Sequence, residues 1–247
     1  MNFLLAFQFL TIFPIRISRT VNDEDLVKSM RWYPLVGAFI GALSAALYYA
    51  ALQCLSFGAA VISGVVGLVV FSGALHLDGF ADTCDGFYGR REKERILAIM
   101  KDSRCGAMAI IGIFCLLAFK IALLGSLEPR HAMLALIAVP AVGRWSMVWL
   151  SHASTYARAE GGTGSAYIGH VDRRTVWFAT LLCAVIVFLL LRWRGLLLLG
   201  AAFLGAILFR CNVERRIGGM TGDTLGAYGE FVEVLSLAVL CFHGAAR

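Results

Sequence analysis

Between His76 and Arg90 the chain reads HLDGFADTCDGFYGR, with Asp78, Asp82 and Asp85 at positions i, i+4 and i+7. On a helix turning about 100° per residue these three fall on one stripe, within roughly 60° of each other. Carboxylates stacked this way repel, by about a few tenths of a kcal/mol per i,i+4 pair even in water, and by more beside a membrane. A hard divalent cation removes the conflict. Oxygen ligands select Mg²⁺ or Mn²⁺, and Mg²⁺ uses few carboxylates, leaving positions for water and phosphate. The spacing therefore points to metal-assisted phosphoryl transfer, with Mg²⁺ held by Asp78, Asp82 and Asp85 and one aspartate, Asp82 or Asp85, accepting the proton of an attacking hydroxyl. The bland alternative is a solvated acidic turn at a helix end. His76 falls on the opposite face of such a helix, where a hydrogen bond to substrate or to a neighbouring helix suits it better than metal ligation. Gly79 and Gly86 weaken the helix but let a ligand or another backbone come close.

Two further stretches could meet phosphate. MKDSRCG (100–106) sets Lys101 and Arg104 around Asp102, either as clamps on phosphate oxygens or as ordinary charge flanking an apolar segment. GGMTGDTLGAYGE (218–230) places Thr221, Asp223 and Thr224 at the expected start of the last helix, where backbone N–H groups favour anions. Asp223 is there either a site residue or the helix cap. GGTGSAYIGH (161–170) resembles a phosphate loop only loosely and lacks the lysine of a P-loop. Arg144, deep in VPAVGRWSMVWL, needs a partner in an apolar setting and is a substrate-binding candidate on that ground.

The elements around these residues are read from hydropathy. Of 247 residues 60% are hydrophobic and 15% charged, with mean hydropathy +0.78, which is too apolar for one soluble core. No charged residue or histidine occurs from Trp32 through Leu75, enough chain for two spans with a turn near 52–58. Further apolar segments run 105–127, 131–151, 175–191, 195–209 (short) and 224–242. The expectation is all-α: a polytopic membrane bundle of about seven spans, one integral-membrane catalytic domain over 1–247. Residues 78–85 are expected to prolong the helix that begins near Phe57. The opening MNFLLAFQFLTIFPIR has no basic start and no A-x-A site, and reads as a retained interfacial or re-entrant helix rather than a signal peptide. Gly37-x-x-x-Gly41 and Ala201-x-x-x-Gly205 offer small faces for close helix packing. The seven cysteines show no metal or disulfide spacing and read as small apolar residues.

Loop charges give orientation. Lys and Arg number four between Arg16 and Arg31, including Arg19, six between Arg90 and Arg104, three between Arg158 and Arg174, and three between Arg210 and Arg216. The alternate loops and the terminus hold only Arg130, Arg192, Arg194 and Arg247. The positive-inside rule puts the first set, together with all the aspartate motifs, in the cytoplasm. On seven spans the C-terminus is then outside. The formal charge of +6 is thus a matter of topology, not of nucleic-acid binding.

HLDGFADTCDG (76–86), MKDSRCG, GGMTGDTLGA (218–227) and FLTIFPI (9–15) together resemble the cobalamin synthase (adenosylcobinamide-GDP ribazoletransferase) family, over the whole length. The resemblance implies a Mg²⁺-dependent integral-membrane enzyme of the bacterial inner membrane, in late cobalamin biosynthesis. It would join adenosylcobinamide-GDP to α-ribazole or its 5′-phosphate, releasing GMP; self-association or assembly with other cobalamin-pathway enzymes is left open. DTCDGFYGR (82–90) also approaches the opening of the CDP-alcohol phosphotransferases. That match stops at Arg90, since Ile99, Ser103 and Ala107 stand where its glycine and two further aspartates belong. A transporter fits less well, because the polar clusters gather at one face and no repeat is visible.

Overall fold

The charge-free stretch becomes two helices, α3 (Tyr33–Cys54) and α4 (Phe57–Phe71), with the break between them where it was expected. The Ser56 hydroxyl accepts the Ala59 N–H and starts α4. The computed structural model describes residues 1–18 and 20–244, except the side chains of Thr163 and His243. Arg19 and Arg247, both counted among the loop charges, lie outside them. The other helices are α1 (Asn2–Leu10), α2 (Asp23–Ser29), α5 (Leu75–Phe87), α6 (Lys93–Ile99), α7 (Ala107–Gly125), α8 (Pro129–Ala153), α9 (Arg173–Leu191), α10 (Trp193–Ile217) and α11 (Gly222–Gly244). Among the described residues the only β pairing is an isolated bridge, Tyr156 with Met220. The chain is an all-α polytopic bundle: six helices are long and apolar enough to cross a membrane, and α4 with α5 would make a seventh as a bent pair.

Two expectations are corrected. Residues 78–85 do not prolong the helix from Phe57, because α5 leaves α4 at 90°. The cause is local: Gly73 and Ala74 both take left-handed backbone, at φ 62° and 57°. The carbonyl of Phe71, freed at the end of α4, accepts the Ile12 N–H at 3.1 Å. The right angle makes α4 and α5 a bent pair, not one straight helix. Second, the short 195–209 segment belongs to a helix of 25 residues. Its polar end stays helical because Arg210 pairs with Glu214 one turn on, at 2.8 Å, and Arg215 and Arg216 favour the C-terminal dipole.

The core forms around α8, the most buried span, which touches α3, α9 and α11. The small face of α3 meets it as the sequence implied. A Cβ on Gly37 would stand 2.4 Å from the Pro140 carbonyl oxygen, and one on Gly41 2.2 Å from that of Leu136. Outward faces of α7, α9 and α10 carry exposed Phe114, Leu181 and Leu208, as contact with lipid requires.

The charges inside the spans answer one another. Lys120 on α7 donates to Glu230 at 2.5 Å and to Glu233 at 2.6 Å on α11, and Arg144 on α8 pairs with Glu233. Two cations and two carboxylates cancel, which is the condition for keeping charge in a low-dielectric interior. Arg144, expected to bind substrate, is paired here with Glu233 as a brace between α8 and α11 and does not line the cavity that holds Asp78 and Asp223.

Candidate active site

The aspartate helix, α5, packs against the start of α11, and two glycines set the distance. A Cβ on Gly79 would meet the Asp223 backbone at 2.8 Å, and one on Gly226 would meet the His76 Cα at 3.2 Å. The backbones touch there because both positions lack side chains, so Gly79 does admit another backbone, as its place between aspartates suggested. Gly86 does the same for a side chain, that of Met100.

The loop after α8 completes the arrangement. The Met220 N–H donates to the Thr155 carbonyl at 2.8 Å, and the Ala157 N–H to the Met220 carbonyl at 2.9 Å, tying the loop to the start of α11. A Cβ on Gly219 would come within 2.5 Å of the Thr155 oxygen, so this seam also depends on glycine. Arg158, carried on the loop, reaches Asp223 with Nη2 to Oδ2 at 2.9 Å. Sequence reading counted Arg158 only as a loop cation; nothing local in TYARAEGG marks it, since its role comes from a pairing across 65 positions.

Asp78 and Asp223 line one cavity of about 220 Å³ together with His76, Tyr33, Tyr167 and Phe9. Asp82 lies one turn along from Asp78. Burial, then the charges of Asp223 and Asp78, push its carboxyl up to about 6 against the pull of Arg158. His76 is buried and its Nδ1 has no hydrogen-bond partner among the described residues. Burial first, then Arg144 and Lys120, hold its pKa well below the usual histidine value, so the imidazole is neutral near pH 7.

Other expected site residues sit elsewhere. Asp85 has both oxygens engaged: Oδ2 accepts the Gly106 N–H at 2.6 Å and Oδ1 the Ala109 N–H at 2.9 Å. It caps α7 from a neighbouring helix, where the positive end of the helix dipole welcomes a carboxylate. Thr221 is fully buried and caps α11; its N–H donates to the Thr224 hydroxyl at 2.8 Å, and the Thr224 N–H donates to the Thr221 hydroxyl at 3.2 Å. Thr221, not Asp223, is thus the cap, and the Asp223 carboxylate accepts from Arg158 at 2.9 Å and from the Thr221 hydroxyl at 3.4 Å. Lys101 and Arg104 are exposed on the loop before α7, paired with Glu160 at 3.4 Å and Asp102 at 2.6 Å, and neither lines the cavity. Arg216, in the last turn of α10, donates to the carbonyls of Phe87 and Gly89, each at 2.6 Å, and closes the end of α5.

Among the described residues no three His, Cys, Asp or Glu side chains form a ready metal cage, so Asp78, Asp82 and Asp85 are not a preformed trio. The carboxylates that act most strongly on Asp82 are Asp223 and Asp78, with Asp85 a weaker third. Their mutual repulsion and all-oxygen chemistry fit a hard divalent ion completed by water and phosphate. A larger cavity of about 760 Å³ between the ends of α7, α8, α9 and α10 is lined by leucines, Arg130, Arg192 and Arg194, and holds none of the aspartate motifs.

The sequence profile described as cobalamin-5-phosphate synthase matches residues 2–241. The adenosylcobinamide-GDP ribazoletransferase of Clostridium novyi (strain NT) is 36% identical over 98% of both chains. That of Desulforamulus reducens is 40% identical over 93% of this chain and 91% of its own, and that of Syntrophobacter fumaroxidans 40% identical over 98% and 99%. No solved structure matches. With the profile spanning nearly all of the sequence and relatives of this identity covered end to end, the chain belongs to the cobalamin-5-phosphate synthase family.

Proposed function

We propose that this membrane transferase joins adenosylcobinamide-GDP to α-ribazole, or to its 5′-phosphate, giving adenosylcobalamin or its 5′-phosphate and GMP. The observation that carries the reading is the meeting of α5 and α11, which brings the Asp78 and Asp223 carboxylates to one cavity with Asp82 beside them. The acceptor's hydroxyl oxygen attacks the phosphorus on the cobinamide side, the bond from that phosphorus to the GMP oxygen breaks, and GMP leaves. Asp82 takes the hydroxyl proton; a carboxyl pushed up to about 6 is a better acceptor near neutral pH than an ordinary aspartate. Asp78 and Asp223 would hold Mg²⁺, with Arg158 fixing the orientation of Asp223. When bound, the ion supplies neutralisation of the diphosphate charge. Lys101 and Arg104 can reach the nucleotide's outer oxygens only by leaving Glu160 and Asp102.

The site faces the cytoplasm of the bacterial inner membrane in this reading, because the motifs share their side with the cation-rich loops. The test is direct: purified protein in detergent, given adenosylcobinamide-GDP, α-ribazole and Mg²⁺, releases GMP and forms a cobalamin. If turnover requires a sealed vesicle, the site serves transport instead.

A further inference from the structure

Beside the carboxylates, the cavity has a wall with no part in holding phosphate. It is made by the Phe9, Tyr33 and Tyr167 rings and the Met30 and Met147 thioethers, with the His76 imidazole among them. The rings form a corner. Phe9 stacks on Tyr33 at 6.4 Å between centroids and meets Tyr167 edge-on at 6.5 Å. At about 220 Å³ the cavity is smaller than the ~300–1,000 Å³ of pockets that enclose a whole drug-sized ligand. A corrin ring or an entire nucleoside diphosphate does not fit. One flat two-ring heterocycle does.

We infer that this cavity is the base pocket for the acceptor nucleoside, seating the flat, mostly carbon base of a ribazole between the aromatic corner and His76, with the ribose pointing to Asp78 and Asp223. The inference rests on the proposed reaction and names where its acceptor sits. Two heterocycles compete for such a place, the acceptor's base and the donor's guanine. Guanine presents polar groups along its whole edge and needs a matching set of donors and acceptors, or each is left unpaired at a cost. Here the wall offers aromatic and thioether surface with one imidazole and the hydroxyls of Tyr33 and Tyr167, fewer polar partners than the edge of guanine needs. A benzimidazole-type base has carbon on most of its edge and one free ring nitrogen, which matches the single imidazole of His76, whose Nδ1 has no partner among the described residues. Asp78, which lines the cavity, is one helical turn from Asp82, the proposed proton acceptor, so a hydroxyl on the sugar of a nucleoside seated here points toward the group that must take its proton.

The experiment fills the pocket from its exposed rim. Leu75 lines the cavity and is 40% exposed, so Leu75→Trp intrudes on the base without loading the core. Overfilling a fitted pocket by this much is expected to raise the KM for α-ribazole by about tenfold or more while the KM for adenosylcobinamide-GDP stays within about twofold. Phe9→Ala, also at the rim, opens the corner and should shift the preference toward nucleosides with a larger base. In wild-type protein the free base alone should compete with α-ribazole and not with adenosylcobinamide-GDP. A rise confined to the KM for adenosylcobinamide-GDP would give the cavity to guanine and overturn the inference, as would two variants with both KM values unchanged. Wild-type protein that releases no GMP would refute the proposed reaction itself, a separate outcome.

Discussion

Replacing Gly79 by alanine tests whether the contact between α5 and α11 builds the site. The added Cβ would stand 2.8 Å from the Asp223 Cα and carbonyl oxygen, some 0.6 Å short of the 3.4 Å at which ordinary contact begins. Both obstructing atoms are backbone, so no side chain can swing aside; one helix must move. Alanine also favours α5 by up to about 1 kcal/mol over glycine, which offsets much of the roughly 1–3 kcal/mol of crowding. Stability should therefore change little while the spacing of Asp78 and Asp82 from Asp223 grows by about half an ångström or more. Since about 1 Å of misplacement costs on the order of a hundredfold in rate, kcat for GMP release should fall at least about tenfold. Gly58→Ala, where a Cβ meets nothing within 4 Å, is the control and should keep wild-type kcat. Wild-type kcat in Gly79→Ala, with the protein folded, would refute the idea that this contact sets the catalytic geometry.

The other predictions concern charge. Asp82→Asn should abolish turnover and leave membrane insertion intact, whereas Asp85→Asn should lower the melting temperature, by the roughly 0.5–2 kcal/mol typical of a lost cap, and keep measurable turnover; equal loss of activity in both would return Asp85 to the reacting centre. Below its pKa Asp82 holds its own proton and cannot accept another, so kcat/KM should fall as pH drops, with a midpoint at or below about 6, since bound metal pulls that value down; a flat profile from pH 5 to 8 would remove Asp82 as proton acceptor. EDTA should stop GMP release and Mg²⁺ restore it, and persistent turnover without divalent ion would exclude the metal. Glu233→Gln leaves Lys120 and Arg144 short of one carboxylate in the interior, which should destabilise by roughly 3–5 kcal/mol, read as a fall in melting temperature on the order of 10 °C in detergent; an unchanged melting temperature would show that the brace contributes nothing.

What the sequence determined by itself is what short range decides. Uncharged runs had to become helices, because a backbone in lipid satisfies its own hydrogen bonds. The i, i+4, i+7 spacing put three carboxylates on one helix, and glycine at 79 marked a close approach. Hydropathy could not see the bend, because SGAL at 72–75 is as apolar as its surroundings and only the left-handed Gly73 and Ala74 turn the chain. It also could not assign partners, since a carboxylate's role is fixed by whatever arrives from far along the chain. Asp85 met the start of α7 and became a cap, Asp223 met Arg158, and Arg144 met Glu233 and became a brace. Those pairings span 24, 65 and 89 positions. Helix propensity and charge pattern act within a turn or two, so the choice among such distant partners belonged to tertiary packing alone.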